Sequence, residues 1–338
     1  MSFYFIIPDY TRFVSGGNWY NEQLIDALKL ETERPIYIWT IDELRTQFST
    51  LEKGVFFVDT LYLEAITRYL LIKKEGQQFH LIVHHLGSLF PPETYTSDTY
   101  FEEKEKRILP LFDGFLTSSQ YTANYLKERQ LTQKSLVLPP ALSSLPKNIP
   151  LRKSLPIKAI IVANVVKRKG ILPFLQAFQK QYSKEPLPHL SIAIVGGWTI
   201  EHGYGHICKT LVANNPALAQ SIHFLGSQSQ QAMQAIYRNS NLLISTSFFE
   251  TYGMALQEAV AWKLPIIAIA GGNIANHIEV GTNGYLVENT EALVQQLWTI
   301  ARQKEKLQQL LKSTYHWEGK VEQTWREKAR VLSMRYEV

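Results

Sequence analysis

The sequence predicts an α/β protein built from two domains, each a parallel sheet wrapped by helices. Three features carry that expectation: a length of 338 residues, short β-rich apolar runs alternating with helical patterns, and a proline-rich break near the middle. At about 150 residues per domain, the length suits two cores. Hydrophobic residues make up 45% and charged residues 19%, which is too apolar for a disordered chain. The lone cysteine, Cys208, excludes an internal disulfide, and no apolar run reaches the roughly 18 residues of a membrane helix. A protein of a reducing, cytoplasmic compartment is expected. The N-terminal run MSFYFIIPDY is broken by Pro8 and Asp9, so it reads as an opening strand and not as a leader.

In the first half the apolar runs are FYFIIP (3–8), PIYIW (35–39), GVFFVD (54–59), HLIVHH (80–85) and GFLTSS (114–119). Tyr20, Leu24 and Leu28 recur at helical spacing after Gly16-Gly17, and FEEKEKR (101–107) reads as a solvated helix face. This βαβ rhythm predicts a first domain over 1–145. Prolines between 139 and 156 disfavour a helix and place a linker at 146–156. The rhythm restarts with KAIIVANVV (158–166), LSIAIVGG (190–197), SIHFLG (221–226), NLLISTS (241–247) and LPIIAIAG (264–271), which predicts a second domain over 157–312. A helical segment, 313–338, follows; one amphipathic helix from Tyr315 to Leu332 would place Trp317, Val321 and Trp325 on one side, most simply for packing.

Charge divides unevenly. Residues 1–150 hold 15 Lys and Arg against 18 Asp and Glu, whereas residues 151–338 hold 20 against 12. The excess in the second half is too small and dispersed for duplex nucleic acid and favours a phosphate-bearing small ligand. The run Glu201, His202, His206, Cys208 lacks a fourth metal ligand and contains Gly203 and Gly205, which argue against a rigid helix; no metal site is expected. No G-x-G-x-x-G follows an opening strand, which disfavours a nicotinamide dehydrogenase.

The most informative stretch is FFETYGMALQEAVAWKLPIIAIAGGN (248–273). Glu250 lies in a strand-to-helix loop. Gly253 falls in the first turn, so the amides of Thr251, Tyr252, Gly253 and Met254 are expected at the helix N-terminus as an anion cradle. If the whole segment were helical, Glu258 would lie on the order of 12 Å beyond Glu250. Carboxylates accept hydroxyl hydrogen bonds, so sugar and ribose are natural partners for the two glutamates.

This stretch resembles the glutamate-x7-glutamate signature of retaining glycosyltransferases of family 4, which have the GT-B architecture of two Rossmann-like domains facing across a cleft. VANVVKRKG (162–170) is similar to the family's strand-loop motif ending in Lys-Gly. HFLGSQSQQAMQAIYRNSNLLISTS, Gly16-Gly17, HLIVHHLG and LTSSQYTANYLK resemble other expected positions. The resemblance implies a C-terminal helix packing back on the first domain. It implies that Glu250 contacts the transferred sugar, Glu258 the ribose, and Lys169 the donor diphosphate, with Arg168 and the 251–254 amides assisting. His84 would lie beside the reacting sugar, and Gly16 and Gly17 would let their loop approach the donor. The implied donor is a UDP-, GDP- or ADP-sugar, the acceptor a hydroxyl of a glycan, lipid or small molecule, and no metal or other cofactor is required. Peripheral contact with the cytoplasmic face of a membrane stays open, as do two rival readings: a nucleotide-sugar epimerase and a catalytically silent binding protein. Three positions depart from the family pattern: Ala163-Asn164 where Gly-Arg is common, Lys263 at a turn glycine, and Asn276-His277 where a glutamate often follows the Gly-Gly loop.

Overall fold

The computed structural model describes residues 1–9, 15–90, 98–131, 134–142, 146–187, 189–319 and 324–336. The chain forms two compact units, one comprising Met1–Ser143 with Glu322–Val338 and the other Ser144–Val321.

The first unit runs β1 (Phe3–Ile6), α1 (Gly16–Glu31), β2 (Ile36–Trp39), α2 (Ile41–Gln47), β3 (Gly54–Asp59), α3 (Thr67–Leu71), β4 (Gln77–Val83), α4 (Asp98–Ile108), β5 (Gly114–Thr117), α5 (Gln120–Glu128) and β6 (Lys134–Val137). The six strands pair in parallel in the order β2-β1-β3-β4-β5-β6. Every residue of β1, β3 and β5 is buried, as expected of a parallel sheet covered on both faces. Helix α4 is mainly a solvated face, as its charges predict, but Glu105 turns inward and is 5% exposed.

The second unit runs β7 (Ile157–Val162), α6 (Ile171–Lys184), β8 (Leu190–Val195), α7 (His202–Ala213), α8 (Pro216–Ser221), β9 (Ile222–Gly226), α9 (Gln230–Asn239), β10 (Leu242–Ser245), α10 (Met254–Ala261), β11 (Ile266–Ile269), β12 (Gly284–Val287), α11 (Thr290–Arg302) and α12 (Lys304–His316). Its parallel sheet has the order β12-β11-β10-β7-β8-β9, that of a doubly wound nucleotide-binding fold. Alternating residues of β7 feed opposite cores: Ile157, Ala159 and Ile161 pack with Phe174 and Leu297, and Ile160 packs with Leu243 and Leu256.

Four expectations change. The edge strands β6 and β12 are additional. Helix α7 forms despite its two glycines; Gly205 lies where a Cβ would stand 2.2 Å from the Trp198 carbonyl, so its smallness serves packing. The terminal helix is two: α12 stops at His316, and a separate α13 (Trp325–Arg335) starts at Thr324 with a Thr324–Glu327 capping box. Trp317 therefore ends α12 and shares no helix face with Trp325, while Val321 lies outside the described residues. Residues 146–156 are counted with the second unit and are anchored to it, as Arg152 shows below; 143–145 lie outside the described residues.

Helix α13 packs on α1 within the first unit. The Trp325 ring meets Tyr20 and Trp19 edge-to-face at centroid distances of 5.2 and 5.6 Å, and Arg34 Nη1 donates to the Tyr336 carbonyl at 2.6 Å. Among the described residues no helix is long and apolar enough to cross a membrane. Truncation of this buried indole removes the main apolar anchor of α13. Trp325→Ala is expected to lower the first unit's unfolding free energy by about 3–5 kcal/mol, measured by urea denaturation.

Candidate active site

In a doubly wound sheet, ligands bind outside the carboxyl ends of the strands where the strand order reverses. In the second unit that point lies between β7 and β10. Beyond β7 the chain makes a single turn of 3₁₀ helix over Lys167–Lys169, and Gly170, with φ of 63°, starts α6. Only glycine fits there, because a Cβ would stand 2.3 Å from the Thr246 carbonyl. The Thr246 hydroxyl donates to the Lys169 carbonyl at 2.5 Å, fixing the turn to the end of β10.

From that turn the Lys169 ammonium forms an ion pair with Glu250 beyond β10. Glu250 is held through its backbone as well. It forms a β-bridge with Gly272, and its carbonyl accepts from the Asn273 amide at 2.8 Å. Gly272, at φ 61°, allows this close approach, since a Cβ would meet the Glu250 carbonyl at 2.3 Å. Burial pushes the Glu250 carboxyl up, but Lys169, Arg168 and a hydrogen bond from Ser247 outweigh it and leave it below the usual carboxylate range. Burial draws the Lys169 ammonium down, opposed by Glu250.

The segment from Glu250 to Glu258 is not one helix. Residues 251–253 form a turn, Gly253 has φ of 94°, and α10 begins at Met254, so helical rise applies only from there to Glu258. No side chain caps the N-terminus of α10, whereas at α6 the Leu172 amide donates to the Tyr204 hydroxyl at 2.9 Å; the positive ends of both helices flank the Lys169–Glu250 pair. The Tyr252 carbonyl accepts from Asn273 Nδ2 at 2.8 Å and lies 2.7 Å from His277 Nε2. Asn276 Nδ2 in turn donates to Asn273 Oδ1 at 2.6 Å. The Asn276-His277 departure thus braces the 250–253 turn. Asn164 likewise serves structure: its Oδ1 accepts from the Gly197 amide at 2.9 Å.

Two contributors escaped the sequence reading. Tyr237, 2% exposed on α9, donates its hydroxyl to Glu258 Oε2 at 2.5 Å. Burial pushes the Glu258 carboxyl above its ordinary value. Arg152 donates through Nε to the Ser240 carbonyl at 2.6 Å, through Nη2 to Tyr237 at 3.2 Å and through Nη1 to Lys263 at 3.4 Å. It thereby satisfies carbonyls at the C-terminal ends of both α9 and α10, and burial draws its guanidinium down to about 10. Lys263 adopts φ of 54°, the left-handed turn for which glycine is the usual residue.

In the first unit Gly16 and Gly17 open α1 behind the cap Ser15. A Cβ on Gly17 would stand 3.1 Å from the ring of His84, so this glycine accommodates the histidine. His84 follows β4, and its Nε2 lies 2.8 Å from Asn21 Oδ1; Asn21 Nδ2 donates to Asp59 Oδ2 at 2.8 Å. Among the described residues no group of three His, Cys, Asp or Glu could hold a metal ion. In particular, Cys208 is buried while His202 and His206 are exposed.

Each unit thus gathers its candidate groups at the carboxyl ends of its own strands. The family model described as Glycosyl transferases group 1 matches residues 147–317. A D-inositol 3-phosphate glycosyltransferase of Corynebacterium jeikeium (strain K411) is 24% identical over 127 residues, covering 38% of this chain and 30% of that protein. The chain spans half or less of the length of the curated relatives it matches. Sucrose-phosphate synthase from Thermosynechococcus elongatus superposes with a TM-score of 0.77 at 16% identity, over 99% of this chain and 98% of that one. Anabaena HepE, solved in complex with UDP and glucose, superposes at 0.68 with 14% identity over 100% of each chain. With two parallel six-stranded sheets in the GT-B fold, and with the family's match covering the unit that holds Lys169, Glu250 and Glu258, this chain belongs to the Glycosyl transferases group 1 family.

Proposed function

We propose that this glycosyltransferase moves a hexosyl group from a nucleotide-diphosphate sugar to an acceptor hydroxyl with retention at the anomeric carbon, in the manner of family 4. The observation that carries this reading is the Lys169–Glu250 pair, set between the N-termini of α6 and α10, the latter without a side-chain cap. As the sugar–phosphate bond breaks, negative charge grows on the departing diphosphate. Lys169, Arg168 and the amides of Thr251, Tyr252, Gly253 and Met254 stabilise that charge. Glu250, released from Lys169, accepts hydrogen bonds from the sugar hydroxyls, and Glu258 accepts them from the ribose. His84 and the Gly16-Gly17 turn are the first unit's candidates for substrate contact. With no side-chain nucleophile assigned, the leaving phosphate takes the acceptor's proton on the same face.

The complex of HepE with UDP and glucose makes UDP-sugars the first donors to test, beside GDP- and ADP-sugars. Calorimetry and slow-hydrolysis assays on such a panel need no knowledge of the acceptor; a chain that binds none of them overturns the proposal. Lys169→Ala is expected to cut turnover by about 10²–10³, the scale of one lost charge-stabilising donor, while circular dichroism stays native. Turnover near wild type would remove Lys169 from the mechanism.

Glu258→Gln separates binding from stability. A carboxyl whose folded pKa is raised costs stability once it ionises, so the wild type loses stability as pH rises through and above the carboxylate range. Glutamine does not titrate and still accepts from Tyr237. The variant is expected to bind nucleotide more weakly yet melt at a higher temperature at neutral pH, with the gain vanishing in acid. Melting curves across pH, paired with binding isotherms, check both signs.

A further inference from the structure

We infer that Asn21 and Asp59 are positioning residues that decide which ring nitrogen of His84 carries its proton, and so what His84 offers a substrate. The functional half of this inference rests on His84 contacting substrate, as proposed above; the chemical half does not.

Asp59 ends β3 and is 1% exposed. Its two oxygens are engaged: Oδ1 accepts from the Leu61 amide at 2.8 Å, and Oδ2 accepts from Asn21 at 2.8 Å. A carboxylate only accepts, so the Asn21 atom turned toward it is the NH₂ group. The amide oxygen of Asn21 therefore faces His84, 2.8 Å from Nε2. That oxygen also only accepts, so Nε2 bears the hydrogen. Asp59 Oδ2, 3.5 Å from the same nitrogen, attracts the same proton.

Tyr20 and Gly17 bury the ring, which favours its neutral form. Tyr20 meets it edge-to-face at 5.2 Å, with its own hydroxyl donated to the Leu138 carbonyl at 2.9 Å, and Gly17 closes on Cδ2. Burial draws the His84 pKa down, against the opposing pull of Asp59. A neutral imidazole protonated at Nε2 has a lone pair at Nδ1. At that atom the ring accepts a hydrogen bond and does not donate a proton. Neither Asn21 nor Asp59 stands out in the sequence, because they are 38 residues apart and meet only in the folded unit.

Long-range ¹H–¹⁵N NMR correlations on the full chain, with His84 assigned by the signal lost in His84→Gln, read the tautomer directly. The expected wild-type pattern is neutral and Nε2-protonated near pH 7. An Nδ1-protonated ring, or an imidazolium, overturns the inference. In Asp59→Asn the Asn21 amide is free to turn over, and an Nδ1-protonated population is expected to appear; an unchanged spectrum counts against the relay. Should that variant not fold, Asn21→Asp sets a carboxylate against Nε2 and is expected to raise the His84 pKa, an effect whose absence has the same force. With a UDP-sugar, Asp59→Asn is expected to lower kcat at least tenfold while UDP affinity stays within twofold. A shifted tautomer with unchanged kcat defeats the positioning role. The spectra need no turnover, so a wild-type chain without UDP affinity would count against the proposed function and leave the tautomer assignment standing.

Discussion

A lysine and a glutamate paired beyond two neighbouring parallel strands, their side chains only 14% and 16% exposed, set the terms for the second unit. Taking two such charges out of water costs several kcal/mol per ion, and their attraction repays that only if both are held in place. The surrounding backbone meets this demand. Thr246 fixes the carbonyl of Lys169, Ser247 hydrogen-bonds Glu250, and Gly170 and Gly272 allow main-chain segments to approach within distances that a Cβ would forbid. Under the proposed function, an arriving anion would compete with Glu250 for Lys169 and free a carboxylate for other partners.

Helix ends extend the same electrostatic logic. Helix α10 begins beside the ion pair without a side-chain cap, while its far end is served by Arg152, which also serves the end of α9. Cations complement the negative ends of helices, so Arg152 stabilises the C-terminal ends while the positive end of α10 lies beside the Lys169–Glu250 pair. Tyr237 couples these two regions, since its carbonyl accepts from Arg152 and its hydroxyl donates to Glu258.

Much of the fold was legible because buried parallel strands are nearly continuous apolar runs, and GVFFVD (54–59) coincides with β3. Strands β6 and β12 escaped because they are short, half-exposed edges that look like loop. Glu250, Glu258 and Lys169 were legible as a motif with its strand and glycine context. Tyr237, Arg152, Asn21 and Asp59 were not, because each acts through a tertiary partner at least 21 residues away and no local spacing announces it. The continuous helical pattern from Tyr315 to Leu332 misled for a related reason. Composition reports helix propensity, but the chain there leaves one core and joins another, and Trp325 answers to Tyr20 in the first.

With Glu258 in the binding role proposed for it, the bond from Tyr237 also shapes what it can select. With Oε2 already engaged, the carboxylate presents a single open edge. A guanidinium seeking its usual two-pronged grip would find one prong occupied, whereas a sugar-like diol can anchor on one oxygen alone. Under the proposed function, the phenol would thus favour a diol over a cation at this carboxylate.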